Sequence, residues 1–262
     1  MIDFYIQTEG VNTNPPLLFL HGFMGSTKEW LEVIEKFSEK YYCLLVDLPG
    51  HGKTVTTDDT DYTMPECAHQ LIKTLRDRFT FESYNLIGYS MGGRLAYYLL
   101  LENPELFHSA LIASATPGLK TSEDQTTRKQ KDSLLANRLA MEPYEQFLDD
   151  WYAQPLFVSL AVNEALLERT KKHKSENSPE ALAKSLRYMG TGAMPSLWER
   201  LGEIKTKLHL IAGAKDAKFK MINDDVVQGN PMITSEIVDN CGHAIHLEQP
   251  DSFCTIVKKF FK

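Results

Sequence analysis

Gly88-Tyr89-Ser90-Met91-Gly92 is the stretch whose reading decides the architecture. The run Tyr84 to Gly88 ahead of it predicts a strand, and Met91 to Leu101 behind it has a helical pattern that Asn103-Pro104 stops. A Gly-x-Ser-x-Gly turn between a strand and a helix is a nucleophile elbow. The sharp turn lifts the serine hydroxyl clear of the sheet, and the small flanking residues avoid clashes where the backbone is strained. The plain alternative is a glycine-rich turn carrying an incidental serine, and the strand-turn-helix context argues against it. Ser90 is the expected reactive hydroxyl.

Working outward, short buried runs alternate with helical patterns. Leu17 to Leu20 reads as a buried strand breaking at His21-Gly22, and Ser26 with Glu29 has capping-box spacing for a helix to about Phe37. Tyr42 to Val46 is a strand closed by the turn-rich Asp47-Leu48-Pro49-Gly50-His51-Gly52. Thr63 and Glu66 suggest a second capping box, opening a helix to about Phe79. Leu111 to Ala113, Leu208 to Ala212 and Ser235 to Val238 continue the strands, and a last helix runs from Pro250 to Phe261. This alternation predicts an α/β fold, a mostly parallel central sheet flanked by helices. Between about Pro117 and Pro195 the pattern turns polar and helical with no convincing strand. The expected organisation is a core of residues 1–116 and 196–262 with a helical cap inserted at 117–195.

A serine hydroxyl needs a histidine to take its proton and a carboxylate to orient that histidine. In a fold with this elbow the chain order is Ser, then Asp or Glu, then His. Asp216 follows the strand ending at Ala212, and His243 follows the strand near Val238 through Asn240-Cys241-Gly242, so both sit at strand ends. His246 competes but lacks a preceding glycine and is expected to enter the last helix. Asp224 and Asp225 fall in a polar segment away from any strand end and read as solvated loop carboxylates. Asp47 also ends a strand, yet its Leu-Pro-Gly-His-Gly sequel suggests a structural turn. For developing negative charge, two backbone donors are expected: the Met91 amide at a helix N-terminus, and the Phe23 amide in the loop after Leu20. His21 reads as a residue that orders that loop.

With these residues in place, the chain resembles the α/β-hydrolase superfamily over nearly its whole length. More narrowly it resembles the MenH family, the 2-succinyl-6-hydroxy-2,4-cyclohexadiene-1-carboxylate synthases of menaquinone biosynthesis. That narrower likeness rests on Gly88 to Arg94, Asp150-Trp151-Tyr152-Ala153-Gln154-Pro155-Leu156-Phe157, Gly190-Thr191-Gly192 with Pro195 to Trp198, and Asp216 with Lys218-Phe219. Two positions depart from the pattern: Met194 stands where a glutamine commonly precedes the proline, and Lys215 where a glutamate commonly precedes the aspartate. The resemblance implies a lyase that removes a proton alpha to a succinyl ketone and expels pyruvate, with no cofactor and no metal. It also implies a substrate with three carboxylates, and hence cationic partners. Arg94 lies one helical turn beyond Ser90 on the same helix face. By resemblance, Arg128 and Arg187 are the other two anion-binding candidates, and Tyr89 and Trp151 line the pocket. Taken without the resemblance, a helical arginine is a solvated surface charge, and Tyr89 and Trp151 are core residues.

Bulk properties bound these readings. A chain of 262 residues suits one core with a modest insertion, and a net charge of −7 disfavours a nucleic-acid partner while leaving room for a small anionic substrate. Cys43, Cys67, Cys241 and Cys254 show no Cys-x-x-Cys spacing, and three of them sit among apolar or helical neighbours and read as small core residues, so neither a disulfide framework nor a zinc site is expected. No signal peptide or membrane span is visible, so a soluble cytoplasmic protein is expected. The oligomeric state is not legible. The competing functions are a carbon–carbon bond hydrolase or carboxylesterase of the same fold, and a non-catalytic ligand-binding protein. Arg94 and the cap segment argue against a neutral ester, and the full Ser90, Asp216 and His243 set argues against a binding protein.

Overall fold

The computed structural model describes residues 1–262. Nine strands occur in chain order: β1 (Ile2–Asp3), β2 (Ile6–Glu9), β3 (Pro16–Leu20), β4 (Tyr42–Val46), β5 (Val55–Thr56), β6 (Tyr84–Tyr89), β7 (Phe107–Ala113), β8 (Lys207–Gly213) and β9 (Thr234–Val238). Seven of them form one sheet in the order β2-β4-β3-β6-β7-β8-β9, while β1 and β5 pair separately. Every neighbour in the large sheet is parallel except edge strand β2, which runs antiparallel to β4. The eleven helices are α1 (Leu31–Ile34), α2 (Met64–Arg78), α3 (Met91–Glu102), α4 (Ser122–Met141), α5 (Tyr144–Tyr152), α6 (Val158–Ala161), α7 (Glu164–Lys174), α8 (Pro179–Met189), α9 (Ala217–Gly229), α10 (Ile245–Glu248) and α11 (Pro250–Phe260). No helix is long and apolar enough to cross a membrane.

Strand β3 shows why the sheet sits at the centre. All five of its residues are buried, and its side chains alternate between two cores. Leu18 and Leu20 join the apolar cluster packed by α2 and α3, whereas Leu17 and Phe19 join the one packed by α1 and α11. The two clusters hold 36 and 34 buried residues, so neither face of the sheet is left to solvent. The four cysteines are buried and free within these layers.

Helices α4 to α8 lie between β7 and β8, the stretch expected to interrupt the alternation. The chain leaves and returns at one point: the Leu197 amide donates to the Pro117 carbonyl at 2.8 Å.

Local expectations differ from the structure in four places. The helix expected from Ser26 breaks into a 3-10 turn and the single-turn α1, because Glu29 points into the protein instead of back to its own turn. At Thr63 no side-chain cap forms; Glu66 accepts from Gln70 at 2.6 Å, and the capping box falls at Asp58 with Asp61. Asp224 and Asp225 lie on α9, not in a loop, although both are solvent-exposed as expected. His246 enters the short α10, ahead of the last helix.

Candidate active site

Ser90, Phe23, Asp216 and His243 all follow the C-terminal ends of parallel strands, where the helix N-termini also gather. Ser90 closes β6 with φ 49°, a left-handed conformation that a β-carbon resists. The turn is held open by what surrounds it. The Ser90 amide donates to Ala113 of β7 at 2.9 Å, and the Gly92 amide donates to the His21 carbonyl at 3.0 Å. A β-carbon on Gly92 would stand 2.2 Å from the Leu20 carbonyl oxygen, so only glycine lets α3 approach β3 this closely.

The relay expected from chain order is formed. His243 Nε2 lies 3.1 Å from Ser90 Oγ and accepts its proton, while His243 Nδ1–H donates to Asp216 Oδ2 at 2.8 Å. Asp216 caps α9, its second oxygen accepting from the Phe219 amide at 3.3 Å. The loops carrying acid and base are zipped together, Ala214 to Val238 at 2.8 Å and Lys215 to Cys241 at 2.9 Å. Glu248 brackets the histidine by accepting the amides of Gly242 and Ala244 at 2.9 and 3.1 Å. Nothing local in the sequence singled out Glu248 for this. Its only signal was a carboxylate one helical turn beyond the base loop. The imidazole is walled by Tyr89, Phe157 and Phe219, with ring centroids 5.4, 6.0 and 4.8 Å away.

The two residues expected to supply backbone donors, Phe23 and Met91, both line the site. Met91 opens α3, so its amide precedes the first helical hydrogen bond. The Phe23 amide donates to no group of the protein. His21 orders the loop as expected, with Nδ1–H donating to Gly22 at 2.7 Å and Nε2 accepting from the Leu48 amide at 3.0 Å. Asp47 is likewise structural, accepting from the Thr27 and Lys53 amides at 2.6 and 2.8 Å. His246 is fully buried against Trp30 and Tyr89 and makes no bond to Ser90.

A cavity of about 420 Å³ opens above Ser90 and His243, between the sheet edge and helices α4 to α8. Phe23, Tyr89, Met91 and Trp151 line it, as do Arg94 and Arg128. Arg94 is only 8% exposed, and its polar partners are Thr191 Oγ1 at 2.9 Å and Met194 Sδ at 4.0 Å; no carboxylate pairs with it. Burial, reinforced by Arg128 and opposed by the nearby but unbonded Asp132, pushes its pKa down to about 10, leaving it charged at neutral pH. Arg128 is half-buried and donates through Nε to Asp132 at 2.7 Å.

Arg187 corrects the expected trio. It does not line the cavity; its guanidinium donates to Asn137 of α4 at 2.6 Å. Its α8 neighbours Ser185, Leu186 and Met189 face the cavity, and a helix turns Arg187 off that face. Lys218 stands in its place. It lines the cavity close enough to Arg94 and Arg128 to feel their charge, and it forms no salt bridge. Desolvation, then Arg128, hold its ammonium below the ordinary lysine value, with Asp216 opposing. The sequence offered Lys218 only as part of a wider likeness, since its reach into the cavity depends on how α9 leaves β8. Met194, at the departing position, is buried and offers Arg94 a thioether contact. Lys215 is exposed.

The elbow at the C-terminal end of the central strand β6 and a Ser-His-Asp relay define the class, a serine-centred α/β-hydrolase-type enzyme. A family model for the alpha/beta hydrolase fold matches residues 15–250. A Bacillus subtilis (strain 168) protein, provisionally named 2-succinyl-6-hydroxy-2,4-cyclohexadiene-1-carboxylate synthase, is 35% identical, over 99% of this chain and 94% of its own. The Serratia proteamaculans (strain 568) protein of that name is 32% identical, over 97% of this chain and 96% of its own. Among solved structures, MenH from S. aureus superposes with a TM-score of 0.91 at 34% identity, covering 99% of this chain and 97% of that one. The chain belongs to the alpha/beta hydrolase fold family and, within it, to the 2-succinyl-6-hydroxy-2,4-cyclohexadiene-1-carboxylate synthases.

Proposed function

We propose that this chain catalyses the reaction its relatives are named for, eliminating pyruvate from 2-succinyl-5-enolpyruvyl-6-hydroxy-3-cyclohexene-1-carboxylate. The substrate is a ring 3-ene and the product a 2,4-diene, so the electron movement is defined. The C2–H bond, acidified by the succinyl ketone, gives its pair to a new C2=C3 bond. The former C3=C4 pair moves to C4–C5, and the C5–O bond breaks toward the enolpyruvyl oxygen. Protonation of the departing enolpyruvate yields pyruvate.

Ser90 takes the C2 proton as its own passes to His243, and Asp216 balances the imidazolium that forms. No covalent intermediate is needed. The Phe23 and Met91 amides stabilise charge on the developing enolate. The helices from 117 to 195 act as a cap that excludes water from this chemistry, with Tyr89 and Trp151 forming apolar wall.

One observation carries the choice of substrate class. Arg94 is a buried cation one turn from Ser90 with no anionic partner. An unpaired buried charge is costly, and the cost is recovered when a substrate carboxylate arrives. A neutral ester would leave the guanidinium as it is. Arg128 and Lys218 supply the remaining positive charge for a tricarboxylate. In the same reading the enzyme is cytoplasmic and needs no cofactor, metal or nucleic acid.

The test is incubation with the enolpyruvyl precursor while pyruvate release is followed by a coupled assay. Stoichiometric pyruvate and a new diene absorbance are expected. Brisk turnover of p-nitrophenyl esters with no pyruvate would make the protein a hydrolase of the same fold.

A further inference from the structure

The loop that offers the Phe23 amide is gripped from both sides, and one of those sides belongs to the inserted helices. Glu29 is the hinge of the grip. Its Oε2 accepts from the Gly22 amide at 3.3 Å, and its Oε1 accepts from Lys174 Nζ at 2.7 Å. Lys174 ends α7, 145 residues further along the chain, and the two side chains are only 6% and 4% exposed. Three residues on, Asn177 makes the second grip. Its Nδ2 donates to the Met24 carbonyl at 2.8 Å, and its Oδ1 accepts from the Gly52 amide at 2.8 Å. Met24 is held with φ 60°, and its own amide donates to His51 Nε2 at 3.0 Å. Phe23, the residue between these two anchored neighbours, keeps its amide free.

An ion pair this deeply buried is an expensive way to attach a helix, because apolar residues of similar size would hold it at least as well. What apolar packing could not do is fix a peptide plane. Both oxygens of Glu29 are spoken for, and one of them holds the His21–Gly22 peptide, next to the plane that carries Phe23 N–H; that plane is itself held within the loop, its Gly22 carbonyl accepting from His21 Nδ1 at 2.7 Å and from the Gly25 amide at 2.9 Å. Burial by itself would favour the neutral carboxyl; the Lys174 ammonium, together with His246 and His21 beside it, outweighs burial, so Glu29 stays ionised throughout the working pH range.

We propose that Glu29, Lys174 and Asn177 are positioning residues that make the oxyanion loop depend on the seating of the inserted helices. When α7 and the turn after it sit down over the cavity, the Gly22 and Met24 peptides are pinned, and Phe23 N–H between them is held toward the reacting oxygen. Covering the substrate and completing the oxyanion hole are then one event. The inference rests on the reading of Phe23 N–H as an oxyanion donor.

The experiment compares the whole enzyme with three variants: Asn177→Ala, the double change Glu29→Gln with Lys174→Met, and Lys174→Arg. The double change leaves no lone buried charge, so it tests the link without the folding penalty of breaking half an ion pair. Each protein is measured for kcat and KM with the precursor, and for the rate at which a fluorophosphonate labels Ser90. That second rate also needs the oxyanion hole but not the natural substrate. Loss of one aligned donor predicts kcat down roughly tenfold and labelling slowed about as much, with KM within about twofold. Lys174→Arg, which keeps the ion pair, should retain most of both rates. Unchanged kcat in the folded double variant, a rise in KM alone, or a lower kcat with normal labelling would each overturn the proposal. Should the unaltered enzyme release no pyruvate, the substrate reading fails, while the labelling comparison still decides the role of the grip.

Discussion

Arg94 gives its guanidinium to a neutral hydroxyl, Thr191 Oγ1, at 2.9 Å inside the cavity, and to no acid anywhere in the protein. A natural sequence keeps such an arrangement at a cost to stability. On the proposed reading that cost is kept for a ligand, which separates binding from folding in a way that can be measured. Arg94→Met should lower kcat/KM by roughly ten- to a hundredfold, the worth of one charge-assisted bond. Its thermal midpoint without ligand should be unchanged or higher, because a buried unpaired charge has been removed. A variant with full kcat/KM, or one destabilised like an ordinary core mutant, would contradict the assignment.

Ser90 is bonded to His243 at 3.1 Å at the floor of the same cavity, and its hydroxyl carries none of the fold. Ser90→Ala should abolish pyruvate release while binding the product with nearly unaltered affinity by calorimetry. Appreciable residual turnover would mean that His243 abstracts the proton without the serine.

Lys218 predicts the alkaline limb of the pH profile. Although Lys218 as a residue is exposed at the cavity mouth, its ammonium is held below the ordinary lysine value by partial desolvation and by the nearby guanidinium groups. Rising pH therefore discharges it before a free lysine would lose its proton, and an anionic substrate binds less well on that side. KM should climb at a pH below the usual lysine range of about 10.4. In Lys218→Met the climb should vanish and KM should be high throughout; an identical limb in that variant would show that another group titrates.

Acid stability should be governed by His21 and His51. Each uses Nε2 to accept a backbone amide, from Leu48 and Met24 respectively, and burial holds both below the ordinary histidine value of 6.5. The unfolded chain therefore takes up protons that the folded one refuses. Stability is fully present above pH 6.5 and falls as pH drops below it, by up to about 1.4 kcal/mol per histidine per pH unit. Thermal midpoints measured from pH 7.5 to 5 should decline accordingly. His51→Gln, which keeps an acceptor but does not titrate, should flatten the slope. An unaltered slope would point to carboxylates instead.

What consecutive residues can specify is legible in the sequence itself. The elbow, the strand ends carrying Asp216 and His243, and the loop donating Phe23 N–H all depend on a strand stopping at small residues and a helix starting. Those are properties of five or six neighbours in the chain. Edge strand β2 escaped notice because Ile6 to Glu9 is half solvated, and its pairing with β4 is a long-range choice. The missing cap at Thr63 has a local cause instead: Glu66 accepts from Gln70 one turn further along the same helix.

The tertiary structure alone decided which cations line the cavity and what holds the loop from Gly22 to Met24. Arg187 and Lys218 are both cations on helices, and local pattern could not separate them. One turns to α4 and the other to the cavity because of how α8 and α9 lie against the rest. Glu29 looked like a capping residue for its own helix until a lysine 145 positions away proved the stronger partner. Local signals are written in adjacent residues, whereas the face a helix shows to a cavity is set by packing against elements far away in the chain.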